Sequence, residues 1–257
     1  MTFINYTHYT MAEDLKRLKY ILDKVSSLNS KPLRILEVGC GSGNICYQLA
    51  REGHYALGID VDEGSIQQAK KDFQWTGLEY QQVAAEEIEP NRIFDVIICS
   101  EVLEHLYQPL PVMKTIGRML ANEGLFIVTV PNGRGPRELF VTRPVQWIKR
   151  NTKILWKILS FFKKSLGYKS FTVQSNNFSL EHVQFYTIRQ LTQMAQKSEL
   201  KIIDIHPACF LEKVFPFSLL TRHSSTLQKL DCHLADLLPL NFSSGFFITL
   251  VKDKKSS

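Results

Sequence analysis

Four residues within six positions, Ser100, Glu101, Glu104 and His105, carry a hydroxyl, two carboxylates and an imidazole, the groups of acid–base chemistry. An imidazole with an unperturbed pKa near ~6.5 suits a general base, and an adjacent carboxylate fixes its tautomer. Read as a helix, the i, i+3, i+4 spacing of Glu101, Glu104 and His105 puts the three on one face. Further upstream, Glu37-Val-Gly39-Cys40-Gly41-Ser-Gly43 ends an apolar run and opens a helical pattern from Asn44, and Gly58-Ile-Asp60-Val61 ends a second run. Glycines let the backbone turn sharply and approach a ligand where a Cβ would collide, and the next helix offers free N–H donors. An acid at the end of the second strand accepts hydrogen bonds from both hydroxyls of a ribose. The spacing is G-x-G-x-G, since Asn44 stands three after Gly41, so no pyrophosphate need be held. Walker A is excluded because no Gly-Lys-Ser/Thr follows. The expected ligand is a nucleoside without a diphosphate.

Elements must bring these residues together. From Arg34 onward short β-branched runs (RILEVG, YALGID, LEYQQV, DVIICS, GLFIVTV) alternate with helical patterns, including one from the end of DVIICS to Leu120. Such alternation predicts a Rossmann-like, doubly wound α/β sheet with helices on both faces. Thr187-Ile-Arg-Gln190 is a capping box opening LTQMAQKSEL, and KIIDIHP follows as a strand. The last strand, Gly245 to Asp253, is expected to enter as the antiparallel hairpin partner of KIIDIHP. This makes seven strands, mostly parallel. The amphipathic segment Ala12 to Leu28 is expected to pack over the carboxyl ends of the strands. The division expected is a helical cap over 1–30, a ligand-binding core over 31–132, a basic lid insertion over 133–183, and the second half of the core over 184–257.

With 257 residues, 44% hydrophobic and 22% charged, the chain has enough apolar material for one large domain. Its five cysteines (Cys40, Cys46, Cys99, Cys209, Cys232) are odd in number and form no CxxC pair. Neither a disulfide framework nor a zinc site is expected, and Cys40 reads as a small spacer. No run of about 18 uncharged apolar residues occurs and the first residues lack the order of a signal peptide, so a cytoplasmic location is expected. The net charge of +6 is unevenly spread. Residues 134–169 hold ten Lys/Arg against the single acid Glu138, leaving 21 Lys/Arg against 24 Asp/Glu elsewhere. Within this stretch, residues 147–167 place Lys149, Lys153, Lys157 and Lys164 on one helical face and Ile148, Leu155, Ile158, Leu159 and Phe162 on the other. Lysines beside Trp147, Trp156, Phe161 and Phe162 fit an anionic membrane surface, with a peripheral location at the inner face. Core packing and a dimer contact are the rival readings. Nucleic acid is not expected, since no recognised module is present.

The quoted motifs resemble those of the class I S-adenosylmethionine-dependent methyltransferases from about Lys31 to Asn132. EVGCGSG resembles the first motif, GIDVD the ribose-binding motif, FDVIICSEVLEHL the fourth strand and GLFIVTVPNG the fifth. The resemblance implies S-adenosyl-L-methionine as cofactor, with Gly39, Cys40, Gly41, Gly43 and Ser100 around its methionine and ribose. It further implies that Glu37 orients the loop or the amino group and that Val61 packs on adenine. The acid usual after the third strand is missing from QQVAAEEIEP, so the backbone of Ala84 or Ala85, or Glu86, takes its place. SEVLEHL is similar to the corresponding stretch of the ubiquinone-biosynthesis O-methyltransferases. That likeness offers a second reading of Glu101, Glu104 and His105, as ligands of Mg²⁺. A third reading is structural, with Glu101 capping a helix and His105 packed beneath the cofactor. His182, just before the capped helix, is a further catalytic candidate, and Asn132 and Arg134 are positioned to line an acceptor pocket.

The reaction expected is therefore methyl transfer, chiefly to oxygen, on a small or lipid-linked acceptor. The tail CHLADLLPLNFSSGFFITL resembles that of uncharacterised bacterial methyltransferases of cell-surface and saccharide pathways, which implies a sugar or glycolipid hydroxyl. A quinone ring hydroxyl is the enzymatic alternative, and a non-catalytic protein that binds S-adenosylmethionine is the alternative of another class. No Pro-Cys nucleophile and no (D/N)-P-P-(Y/F) motif is present, which argues against cytosine and N6-adenine methylation.

Overall fold

In the computed structural model the β-branched runs become a seven-stranded sheet, and the structure describes residues 9, 11–29, 32–88, 90–152, 183–211, 214, 217–221 and 224–253. The elements in order are α1 (Ala12–Ser26), β1 (Arg34–Val38), α2 (Asn44–Arg51), β2 (Tyr55–Asp60), α3 (Glu63–Asp72), β3 (Leu78–Gln82) and β4 (Phe94–Ser100). There follow α4 (Pro109–Met119), β5 (Leu120–Pro131), α5 (Arg143–Asn151), α6 (Ile188–Lys197), β6 (Leu200–Pro207), α7 (Phe217–Thr221), α8 (Ser225–Leu237) and β7 (Gly245–Lys252). The strand order is β3-β2-β1-β4-β5-β7-β6. β7 is antiparallel to both of its neighbours, and the β1, β2, β3, β4 and β5 pairings are parallel. The hairpin expected between the last two strands forms, with β7 inserted between β5 and β6 so that its residues Phe246 to Leu250 are buried on both sides.

Alternation along the strands sorts side chains onto two faces. Ile97, Cys99, Phe126, Val128 and Val130 meet Val112, Met113 and Ile116 of α4 and Leu191 and Ala195 of α6. Ile35, Val96, Ile98, Leu125, Ile127 and Phe247 meet α1 and the Ile45–Leu49 pair of α2 on the opposite face. Each fully buried aliphatic side chain here contributes on the order of 1.5–3 kcal/mol. The helix α1 thus lies on a face of the sheet, unlike its expected seat over the carboxyl ends, because Leu18, Ile21, Leu22 and Val25 form a stripe wide enough to bury there. Only its first two turns, through Lys16 and Arg17, reach the carboxyl edge. Its far end is held to β6 by Lys24 Nζ on Asp204 Oδ2 (2.6 Å), and its middle to β7 by the Tyr20 hydroxyl, 2.6 Å from Thr249 Oγ1.

The capping box at Thr187 is present: the Gln190 N–H donates to Thr187 Oγ1 (3.4 Å) and the Thr187 N–H to Gln190 Oε1 (2.9 Å). The order in which successive strands join the sheet reverses between β1 and β4, and in open α/β sheets ligands bind in a crevice beyond the carboxyl ends of the strands at such a switch point.

Candidate functional site

The crevice is built on the turn after β1. Gly39, Gly41 and Gly43 all have positive φ (72°, 51° and 81°). At two of them space as well as φ demands glycine: a Cβ on Gly39 would lie 2.2 Å from Val102 Cγ2, and one on Gly43 would lie 2.4 Å from the Tyr80 hydroxyl. The turn is docked by the Gly39 and Cys40 N–H groups, both donating to the Ile59 carbonyl (2.8 and 2.9 Å). Asp60 then reaches across: its Oδ2 accepts from the Gly41 N–H (2.8 Å) and its Oδ1 from the Asp62 N–H (2.9 Å). Each carboxylate oxygen keeps a further lone pair for a ligand hydroxyl.

Glu37 works beneath the turn. It is buried, and its Oε2 accepts from the Cys46 N–H (3.1 Å) and the Cys46 thiol (2.9 Å) in the first turn of α2. This supplies from a neighbouring strand the cap that Gly43 cannot give. Burial pushes the Glu37 carboxyl up to about 8, against the opposing pull of the two Cys46 hydrogen bonds. Glu37 thus holds the first turn of α2, directly after the glycine loop. Cys40 is buried and its thiol is pushed up by burial and by the acids Glu37 and Asp60, which suits a spacer. Val61 is 63% exposed at the rim, Ala85 is half-buried in a 3₁₀ turn (Ala85–Glu87) and Glu86 is exposed beside it. Ser100 is buried and its hydroxyl lies 3.1 Å from Thr129 Oγ1, so it serves the floor of the site.

The acid–base cluster differs from the expected helical face. β4 ends at Ser100, Glu101 takes φ +58°, and Leu103–His105 form a 3₁₀ turn; α4 starts only at Pro109. A left-handed residue breaks the helical path, so the three share no helical face, although Glu104 and His105 remain neighbours. Glu101 Oε1 accepts from Thr129 Oγ1 (2.9 Å) and faces Arg17 Nη1 (3.6 Å). Glu104 is buried, and neither of its carboxylate oxygens has a hydrogen-bond partner among the described residues; Oε1 lies 3.8 Å from His105 Nε2. Burial, with help from the Glu101 charge, holds the Glu104 carboxyl well above the usual range, against Arg17 and Arg137. His105 itself is partly exposed.

A divalent ion does not fit this arrangement. Among the described residues no group of three His, Cys, Asp or Glu side chains is disposed to hold a metal. Glu101, the first of the three expected ligands, is engaged by Thr129 and Arg17.

Arg17 has no signal in a local reading because the partner that ties it to the site, Glu101, lies far away in sequence. It is buried in α1, with Nη2 donating to Asp14 Oδ1 (2.8 Å). Burial works against its charge, but Glu101 and Asp14 outweigh that and hold it firmly protonated. Asn132 does not line a pocket: its Nδ2 donates to the carbonyls of Asn241 (3.1 Å) and Ser243 (2.8 Å), and its Oδ1 accepts from the Arg134 N–H (3.0 Å). It stitches the end of β5 to the approach of β7, while Arg134 itself is exposed. His182 and residues 153–167 of the basic segment lie outside the described residues.

A family model described as "Methyltransferase domain" matches residues 6–205. The chain belongs to the methyltransferase-domain family. Among curated relatives, the ubiquinone biosynthesis O-methyltransferase of Bradyrhizobium diazoefficiens is 35% identical over 127 residues, covering 45% of this chain and 50% of that protein. The protein of the same name from Rickettsia prowazekii is 31% identical over 144 residues, covering 53% and 57%. The methyltransferase chain thus spans about half the length of the curated relatives it matches. The fold is shared with an S-adenosylmethionine-dependent methyltransferase from Mesorhizobium loti (TM-score 0.58, 17% identity, 93% of this chain and 97% of that one). It is shared too with the magnesium protoporphyrin IX methyltransferase of Synechocystis, solved with bound S-adenosylhomocysteine (TM-score 0.56, 12% identity, 93% and 84%). The sugar or glycolipid hydroxyl expected from the tail has no counterpart in the names of these relatives.

Proposed function

We propose that the chain transfers a methyl group from S-adenosylmethionine to an oxygen of a small hydroxylated acceptor, the ring hydroxyl of a lipid-linked quinone precursor being the preferred class. The observation that carries this reading is the Asp60–Gly41 cradle at the switch point, with Glu37 locking the helix beneath it. The names of the curated relatives support the acceptor class.

Bound S-adenosylmethionine supplies a methyl on a cationic sulfur, already activated, so the protein has to align the acceptor and take its proton. Asp60 holds the ribose hydroxyls with the lone pairs left by Gly41 and Asp62. Val61 and the Ala85 backbone, with Glu86 at the rim, border the adenine. The buried Arg17 guanidinium is the cation that meets the amino-acid carboxylate. His105, partly exposed at the carboxyl edge, takes the acceptor's proton, and Glu104 behind it orients the ring.

Calorimetry with S-adenosylmethionine tests the cradle. Asp60→Ala is expected to weaken binding about 10- to 100-fold, the worth of hydrogen bonds to a charged group. Unchanged affinity sinks the reading. Release of S-adenosylhomocysteine in the presence of catechol-type acceptors separates an enzyme from a protein that only binds the nucleoside. His105→Gln is expected to keep cofactor affinity and lose about 10²–10⁴-fold in turnover.

A further inference from the structure

The helix α8 shows two opposed apolar requirements. Gln228, Asp231, Cys232 and Ala235 are buried and tie it to the body: the Ala12 N–H donates to Gln228 Oε1 (3.0 Å), and Asp231 accepts from the N–H groups of Phe210 and Leu211 (2.9 and 2.8 Å). Away from that face, Leu227, Leu230, Leu234 and Leu237 are 41%, 52%, 41% and 70% exposed. Their 3-4-3 spacing is that of a helix–helix seam, four large side chains on one rigidly held stripe. A surface of this kind costs solubility unless something covers it.

What covers it is constrained by charge and symmetry. The helix carries Lys229 against Asp231 and Asp236, so it lacks the basic excess that draws a helix to anionic lipid. It is convex, so it is no small-molecule pocket. The stripe is self-complementary about residue 232: position 227 maps onto 237 and 230 onto 234 when the helix is laid antiparallel on a copy of itself. The same operation brings Lys229 opposite position 235 of the other copy, one residue and about 1.5 Å of rise from Asp236. Both side chains are exposed and on the same flank, and although Asp236 also takes Lys16 Nζ (2.6 Å), its side chain stays 44% exposed. An isologous contact needs this pairing of a surface with itself. We propose that α8 is a homodimer contact, in which two copies pack antiparallel through the leucine stripe with Lys229 of each facing Asp236 of the other.

The test uses the full chain and requires no assumption about the reaction. Sedimentation equilibrium up to about 100 µM, where weak isologous contacts are populated, should report a species of twice the 29.6 kDa chain mass. Leu234→Ser is expected to weaken association at least about tenfold, and Lys229→Glu less, with the circular dichroism melt unchanged in both. Geometry is read by cysteine exchange, for which the native background is quiet since all five cysteines are buried. Leu230→Cys mixed with Leu234→Cys chains should form a disulfide under mild oxidation, and neither variant alone should do so. A monomer at every concentration, a dimer indifferent to Leu234→Ser, or homotypic cross-links would each overturn the proposal. So would binding of the monomer to neutral phosphatidylcholine vesicles that Leu234→Ser abolishes, since the stripe would then serve lipid.

Discussion

The carboxyl of Glu37 sits where a charge is costly, and its pKa of about 8 against an ordinary 4.5 makes it a proton store at neutral pH. Both of its Cys46 hydrogen bonds fall on Oε2. A folded-state pKa raised above the unfolded one adds stability that is complete below about 4.5 and is lost as pH rises toward about 8. Above 4.5 the unfolded chain gives up a proton that the folded chain keeps. Thermal melts of the wild type are therefore expected to fall from pH 5 to 8 more steeply than those of Glu37→Gln, which has no proton to lose. Parallel curves would mean that Glu37 is ionised in the fold. The glycine turn and Asp60 were legible in the sequence because a cluster of glycines at a strand end marks positive φ by itself, whereas the side chains that leave no room for a Cβ at Gly39 and Gly43, Val102 and Tyr80, come from distant positions. Arg17 was not, since its ion pair with Glu101 joins positions 84 residues apart. Asn132 was legible only as a polar residue at a strand end; its two side-chain hydrogen bonds to the β7 approach depend on a strand order that no local pattern states.

At the level of elements, periodicity decides what is readable. The box at Thr187 announces α6 because two side chains and two backbone groups satisfy each other within four residues. Thr187→Ala removes the side-chain acceptor of the Gln190 N–H and is expected to cost about 1 kcal/mol in chemical denaturation while leaving cofactor affinity intact. A loss of affinity there would mean that α6 shapes the crevice directly. The turn between β4 and α4 shows the opposite case. Five residues with i, i+3, i+4 acids and a histidine fit an α-helix or a 3₁₀ turn equally, and the decision rests on the left-handed Glu101, which the sequence does not mark. Backbone strain at a non-glycine residue is retained where surroundings over-determine it, and here Thr129 and Arg17 hold the Glu101 carboxylate from two sides. The helix α1 was misplaced by the same kind of limit: its apolar stripe was visible, but which surface it met was set by the open face over β1, β4 and β5.

Over the whole molecule, alternating strands and helices made the doubly wound sheet readable, and only the sheet order placed the crevice. Charge adds a feature the fold does not need. Ten Lys/Arg lie between 134 and 169, whose one acid, Glu138, is buried, while the remaining chain is slightly acidic. Such a separation favours a surface of one sign, and Phe140 (71% exposed) and Trp147 (62% exposed) begin the apolar side of the same segment. No helix among the described residues is long and apolar enough to cross a membrane. Each lysine near an anionic surface contributes about 1 kcal/mol, and the attraction falls off within a Debye length, about 10 Å at 0.1 M salt. Co-sedimentation with phosphatidylglycerol vesicles is accordingly expected at low ionic strength, with progressive release as salt rises and little pelleting on neutral lipid. Reversing Lys153, Lys157, Lys163 and Lys164 to Glu should abolish the pelleting while leaving calorimetric affinity for S-adenosylmethionine unchanged, because none of the four belongs to the Asp60 cradle. Pelleting that ignores both salt and these reversals would assign the basic segment to packing within the protein.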